Sequence, residues 1–119
     1  MTTQEIANRL AALCQKGDFE TAQKELFAED AVSIEPHGTP EFEKETKGKE
    51  AIKKKGEKWN AMVEKFDNAK VSQPLVAGNC FAITIQMHVT MKGGQDMDMT
   101  ELCVYEVKDG KITSEQFFM

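Results

Sequence analysis

Three turn signals in the second half of the chain, Gly78-Asn79, Gly93-Gly94 and Asp109-Gly110, constrain the fold more than any other feature. Glycine and asparagine enter the positive-φ backbone of tight hairpins at little steric cost, so each pair reads as a chain reversal. The runs around them are rich in β-branched and aromatic residues, which predicts strands over Lys70–Val76, Cys80–Met91, Met97–Val107 and Lys111–Met119. Strands joined by reversals this short are antiparallel neighbours. Within Cys80–Met91, Phe81, Ile83, Ile85, Met87 and Val89 alternate with Thr84, Gln86, His88 and Thr90. One face of this meander is therefore apolar and must be covered.

The earlier residues supply the cover. Thr2 and Glu5 stand at capping-box spacing, and Ile6, Leu10, Leu13 and Cys14 recur at helical intervals up to Gly17. Asp18 can cap a second helix, with Phe19, Ala22 and Leu26 on one face and a break at Glu29-Asp30. A short strand is predicted over Ala31–Glu35, where Val32 and Ile34 alternate with Ser33 and Glu35 before Pro36. The polar stretch His37–Gly48 reads as a loop at a pocket mouth, and Ile52, Trp59, Met62, Val63 and Phe66 predict a third helix. Helices gathered on one face of an antiparallel sheet make an α+β fold, and a chain of 119 residues suits a single domain spanning residues 1–119.

Charge excludes one class of partner. A net charge of −5 and a pI near 5.1 repel a phosphate backbone, so nucleic acid is not expected. The lysines at 47, 49, 53, 54, 55 and 58 interleave with Glu50 and Glu57 and read as a solvated helix face. No run of about 20 apolar residues is present, so no membrane span is expected. Met1–Glu5 lacks the basic, then apolar, start of a secretory leader, which points to the cytoplasm. Cys14, Cys80 and Cys103 form no CxxC pair and sit beside apolar residues, as buried free thiols do. His37, His88 and the scattered acids lack metal-ligand spacing, so neither a metal nor a cofactor is expected.

Several local stretches carry a resemblance: Gly17-Asp18 after the first helix, Leu26 to Ala31 leading into the first strand, Gly48 to Ile52 opening the third helix, and Tyr105 to Ile112 in the last hairpin. Together they resemble the SnoaL-like and ketosteroid-isomerase-like proteins of the nuclear transport factor 2-like superfamily, over nearly the whole chain. The resemblance implies a cystatin-like cone in which a curved antiparallel sheet wraps N-terminal helices around a central pocket, commonly as a homodimer formed through the sheet. It leaves activity open, because that fold serves isomerases, cyclases, dehydratases and non-catalytic modules alike.

Glu101 is the most informative residue. It shares a strand face with Met97, Met99, Cys103 and Tyr105, while Asp98, Thr100 and Glu106 occupy the other. A carboxyl on an apolar face has its pKa raised by desolvation and can donate a proton near neutral pH. Glu35 stands where the resemblance to ketosteroid isomerases implies the general base, and Glu101 where it implies the protonated acid, with His37 beside Glu35 as an assistant. Leu10 replaces the tyrosine that those isomerases place on the first helix, and Arg9 is the sole arginine, so neither steroid isomerisation nor epoxide hydrolysis is implied. Trp59, Met62, Met99, Cys103 and Tyr105 are the expected pocket wall. His88, on the polar strand face, is expected at an interface or in solvent.

Two functions fit these residues. One is an acid/base isomerase, cyclase or dehydratase for an apolar, carbonyl-containing small molecule. The other is a non-catalytic homodimeric ligand-binding or association module whose methionines adapt or fill the pocket. Open volume beside Glu101 separates them.

Overall fold

The computed structural model describes residues 1–119. Helix α1 (Thr3–Gln15) starts at the expected capping box: Thr2 Oγ1 accepts from the Glu5 amide at 3.1 Å, and the Glu5 carboxylate accepts from the Thr2 amide at 2.8 Å. Helix α2 (Phe19–Leu26) is capped by Asp18, which accepts from the Thr21 amide. The chain then runs directly into strand β1 (Phe27–Ile34), followed by β2 (Glu45–Lys47), helix α3 (Lys49–Met62), β3 (Val63–Val71), β4 (Leu75–Ala77), β5 (Cys80–Met91), β6 (Asp96–Lys108) and β7 (Lys111–Phe118).

The strands form one open sheet in the order β2-β1-β7-β6-β5-β3, with β4 attached to β5. Strands β3, β5, β6 and β7 make the antiparallel meander. The Asp109-Gly110 reversal has φ of 52° and 75°, and only residues that tolerate this region can close so tight a hairpin. The α+β class and the helices packed on the apolar face of a curved sheet are as expected. Ile6, Leu10 and Leu13 of α1, Leu26 of α2 and Ile52 of α3 meet Phe81, Ile83, Ile85 and Val89 of β5 in one core.

Four details differ from the sequence reading. The stretch His37–Gly48, expected as a loop, contains β2, which pairs antiparallel with the free edge of β1. The sheet is not wholly antiparallel: β1 lies parallel to β7, because the intervening helix and meander return the chain to the same end before β7 pairs beside it. Helix α3 stops at Met62, and Phe66 lies in β3 opposite Val89, 38% exposed. Pairing with the edge of β5 overrides the helical spacing that Phe66 continues, and two register irregularities in β3 hide its alternation. Finally, the strand expected over Lys70–Val76 is interrupted at Ser72–Pro74, where proline has no amide to donate, while β1 begins at Phe27 and carries Glu29 and Asp30 exposed.

Candidate active site

A cavity of about 340 Å³ lies between the helices and the inner face of the sheet, within the roughly 300–1,000 Å³ usual for small-molecule sites. Strand β6 brings Met99, Glu101 and Tyr105 to it, α3 brings Trp59, and the segment after β1 brings Glu35 and His37. Met62 and Cys103, also expected on the wall, are not part of it. Met62 is the last residue of α3, where its carbonyl accepts from the Lys92 amide, and its side chain packs on the core. Cys103 is fully buried between its sheet neighbours Ile83 and Phe117. Cys14 of α1 borders the cavity instead, its thiol pushed up to about 12 by burial and by the nearby Glu115 and Glu101, which keeps it protonated.

Glu101 lies across from Ile85, between Met99 and Cys103 on the inward face of β6. Burial, then the neighbouring charges of Glu35 and Glu115, push its pKa up to about 7, against the opposing pull of the Cys103 thiol and Lys55. A carboxyl in this state exchanges a proton near neutral pH.

Two residues that the sequence did not single out complete the site. Glu115 is 5% exposed and borders the cavity, with burial pushing its pKa up to about 7 despite the Ser33 hydrogen bond and Lys55. A bulge puts it there. From the Asp109-Gly110 turn the register runs Lys108 to Lys111 and Val107 to Ile112, then shifts to Glu106 with Ser114 and Tyr105 with Glu115. The extra residue turns Glu115 onto the face of Tyr105; an unbroken ladder would have put Ser114 there.

Lys55 is the other. Its Nζ donates to Glu35 Oε2 at 2.9 Å and to Ser33 Oγ at 2.6 Å, and it lies 5.8 Å from the centroid of the Phe117 ring. Ser33, fully buried on β1, donates in turn to Glu115 Oε2 at 2.7 Å. Glu35, Lys55, Ser33 and Glu115 thus form one hydrogen-bonded chain along the cavity. Lys55 is not part of a solvated face: its side chain is 16% exposed. Ile52, Lys55 and Trp59 share one side of α3, so Lys55 fills the gap in that apolar stripe, the signal that could have found it.

His88 faces away from the cavity. On the outer sheet face its Nδ1 lies 2.6 Å from Asp98 and its Nε2 lies 3.3 Å from Asp67. Its pKa is raised, chiefly by the Asp98 hydrogen bond. No three His, Cys, Asp or Glu side chains converge in metal-ligating geometry, and no helix is long and apolar enough to cross a membrane.

Comparison with known proteins agrees with this architecture. The sequence model of the SnoaL-like domain matches residues 1–119. The structure of a candidate SnoaL-like polyketide cyclase from Mesorhizobium loti is 34% identical, with all of both chains covered and a TM-score of 0.92. IdmH, a candidate polyketide cyclase from Streptomyces antibioticus, is 23% identical over 99% of this chain and 91% of its own, with a TM-score of 0.74. A protein with a ketosteroid isomerase-like fold from Catenulispora acidiphila, in complex with trimethylamine, is also 23% identical, covering 99% of this chain and 87% of its own with a TM-score of 0.72. At that identity the last two speak for the fold alone. The search of curated proteins gave no match.

Proposed function

Because the chain belongs to the SnoaL-like domain family, we propose that it is an acid/base enzyme of the isomerase or cyclase type, acting on an apolar molecule with a carbonyl group. The observation that carries this reading is one open cavity on whose wall Glu35 and Glu101 stand in unlike settings. Glu35 is paired with the Lys55 ammonium at 2.9 Å, whereas the Glu101 pKa is pushed up to about 7 by burial first of all. A carboxyl held against a cation, beside one that keeps a proton nearer to neutral pH, makes the pair needed to remove a proton next to a carbonyl and to hydrogen-bond the resulting enolate.

Glu35 is the proposed base, Glu101 the proposed acid, and His37 an aid to proton exchange at the mouth. Apolar and aromatic walls, Trp59, Met99, Tyr105 and Phe117 among them, suit a hydrophobic substrate. The likeness to the Mesorhizobium loti candidate polyketide cyclase supports the cyclase-type role.

Proton NMR in deuterated water tests the reading. A panel of apolar ketones should lose signal at the carbon next to the carbonyl in the presence of the protein, and Glu35→Gln should slow that exchange by about 10²- to 10⁴-fold. Ketones that quench Trp59 without exchanging would instead favour the non-catalytic binding module. We also propose a homodimer through the outer sheet face, where Leu102 and Phe118 are cross-strand partners, 41% and 48% exposed. Sedimentation velocity reads that association directly.

A further inference from the structure

We propose that Lys55 is a covalent residue of this cavity, its Nζ condensing with the carbonyl carbon of an apolar aldehyde or ketone to give a protonated imine, with Glu35 as the base that takes the amine proton. This rests on the reading of Glu35 and Glu101 as the acid/base pair for a carbonyl substrate. It adds a nucleophile to that pair, and so makes the reaction proceed through an enzyme-bound intermediate.

The geometry has the parts an activated nucleophile needs: an amine, a base within hydrogen-bonding reach of it, and a fixed orientation. The base is Glu35 at 2.9 Å, and Ser33, itself held by Glu115, fixes the amine from a second side at 2.6 Å. Nζ is thereby held at the cavity wall, near the Phe117 ring and on a largely buried side chain. Other lysines lack this setting. Lys49 donates to the Lys24 carbonyl and Lys58 to the Glu41 carbonyl, while the carboxylates near Lys47, Lys49 and Lys65 lie outside the cavity.

The step balances with the groups present. Nζ forms a bond to the carbonyl carbon as the ammonium gives one proton to Glu35. The carbonyl oxygen takes a proton from Glu101, and the carbon–nitrogen adduct returns one to that carboxylate. The hydroxyl then leaves as water with the proton held by Glu35. Two ammonium protons have become part of the water, the third stays on the imine nitrogen, and both carboxyls end as they began. A protonated imine draws electrons from the neighbouring carbon more strongly than the ketone does. The second proton transfer, from that carbon, thereby becomes easier.

Reductive trapping tests this without the natural substrate. The intact chain is incubated with naphthaldehyde or acetylnaphthalene and sodium cyanoborohydride, and labelled lysines are quantified by peptide mass spectrometry, with Trp59 quenching as the measure of binding. Labelling at Lys55 should exceed that at the exposed Lys54 by on the order of 10²-fold, the contribution of a positioned base. Glu35→Gln should remove that advantage. Lys55→Arg, which keeps a cation beside Glu35 and so guards the fold, should still quench Trp59 and carry no label at this position. If the probes quench Trp59 but label Lys55 no faster than Lys54, the covalent role is wrong while the acid/base reading stands; if Glu35→Gln speeds labelling, Glu35 acts as the counter-ion of the amine rather than as its base, and the proposal as stated is overturned. If a panel of such carbonyl compounds neither quenches Trp59 nor labels Lys55, both are wrong.

Discussion

Replacing Glu115 by glutamine should remove a pH dependence of stability that runs opposite to that of a salt-bridged acid. A carboxyl whose pKa rises from 4.5 to about 7 on folding binds its proton more tightly in the folded chain. Its contribution is therefore complete below pH 4.5 and is lost as the pH climbs toward 7, opposite to the behaviour of a salt-bridged acid. At about 1.4 kcal/mol per pH unit, a carboxyl this fully buried makes the wild type lose about 3 kcal/mol between pH 4.5 and pH 8 through this residue. For a domain of this size that corresponds to on the order of 10 °C in melting temperature. Glu101 adds a loss of the same sign over the same window, and His88, its pKa raised, adds another as the pH climbs above 6.5. Glu5 and Glu25, both lowered, change stability only in more acid solution. Urea unfolding followed by Trp59 fluorescence at several values between pH 5 and pH 8, on the wild type and on Glu115→Gln, isolates the Glu115 share as the difference between the two curves. The variant's curve should be flatter by about 3 kcal/mol. Parallel curves would refute the argument, since they would mean that the Glu115 proton is held no more tightly in the folded chain than in the unfolded one.

Other substitutions probe separate parts of the structure. Ser33→Ala removes a buried hydroxyl that serves both Lys55 and Glu115, and should cost about 1–3 kcal/mol in urea unfolding. Gly17→Ala places a Cβ 3.0 Å from the Phe66 ring at a residue whose φ is +75°, so it should lower stability by about 1–2 kcal/mol. Asp98→Asn removes the main cause of the raised His88 pKa, and an NMR titration of the ring should move toward its ordinary midpoint while Trp59 quenching by pocket ligands stays unchanged.

What the sequence disclosed, and what it hid, follows from how locally each feature is encoded. Helix N-caps and hairpin turns are set by a few adjacent residues, so α1, α2 and the β5-β6-β7 meander were legible. The inward face of β6 was legible too, because Met97, Met99, Glu101, Cys103 and Tyr105 keep an unbroken period of two. Glu115 was not: alternation counted from the Asp109-Gly110 turn puts it on the outer face, and the bulge that reverses this depends on tertiary pairing. Lys55 was masked by its exposed neighbours Lys53 and Lys54, although its place on the stripe of Ile52 and Trp59 was available. The parallel pairing of β1 with β7 had no local signal at all, because it joins segments from opposite parts of the chain.

That pairing also sets when the site can exist. Ser33 and Glu115 are separated by 82 residues, and the hydrogen bond between them needs β1 and β7 side by side. Contacts this far apart in sequence carry the highest loop-closure cost and form slowly, after local hairpins and helices. During refolding the meander can protect its amides while Glu35, Lys55 and Glu115 are still apart, so ligand binding should recover only with the final kinetic phase. An intermediate that has β5, β6 and most of the core would carry no functional cavity.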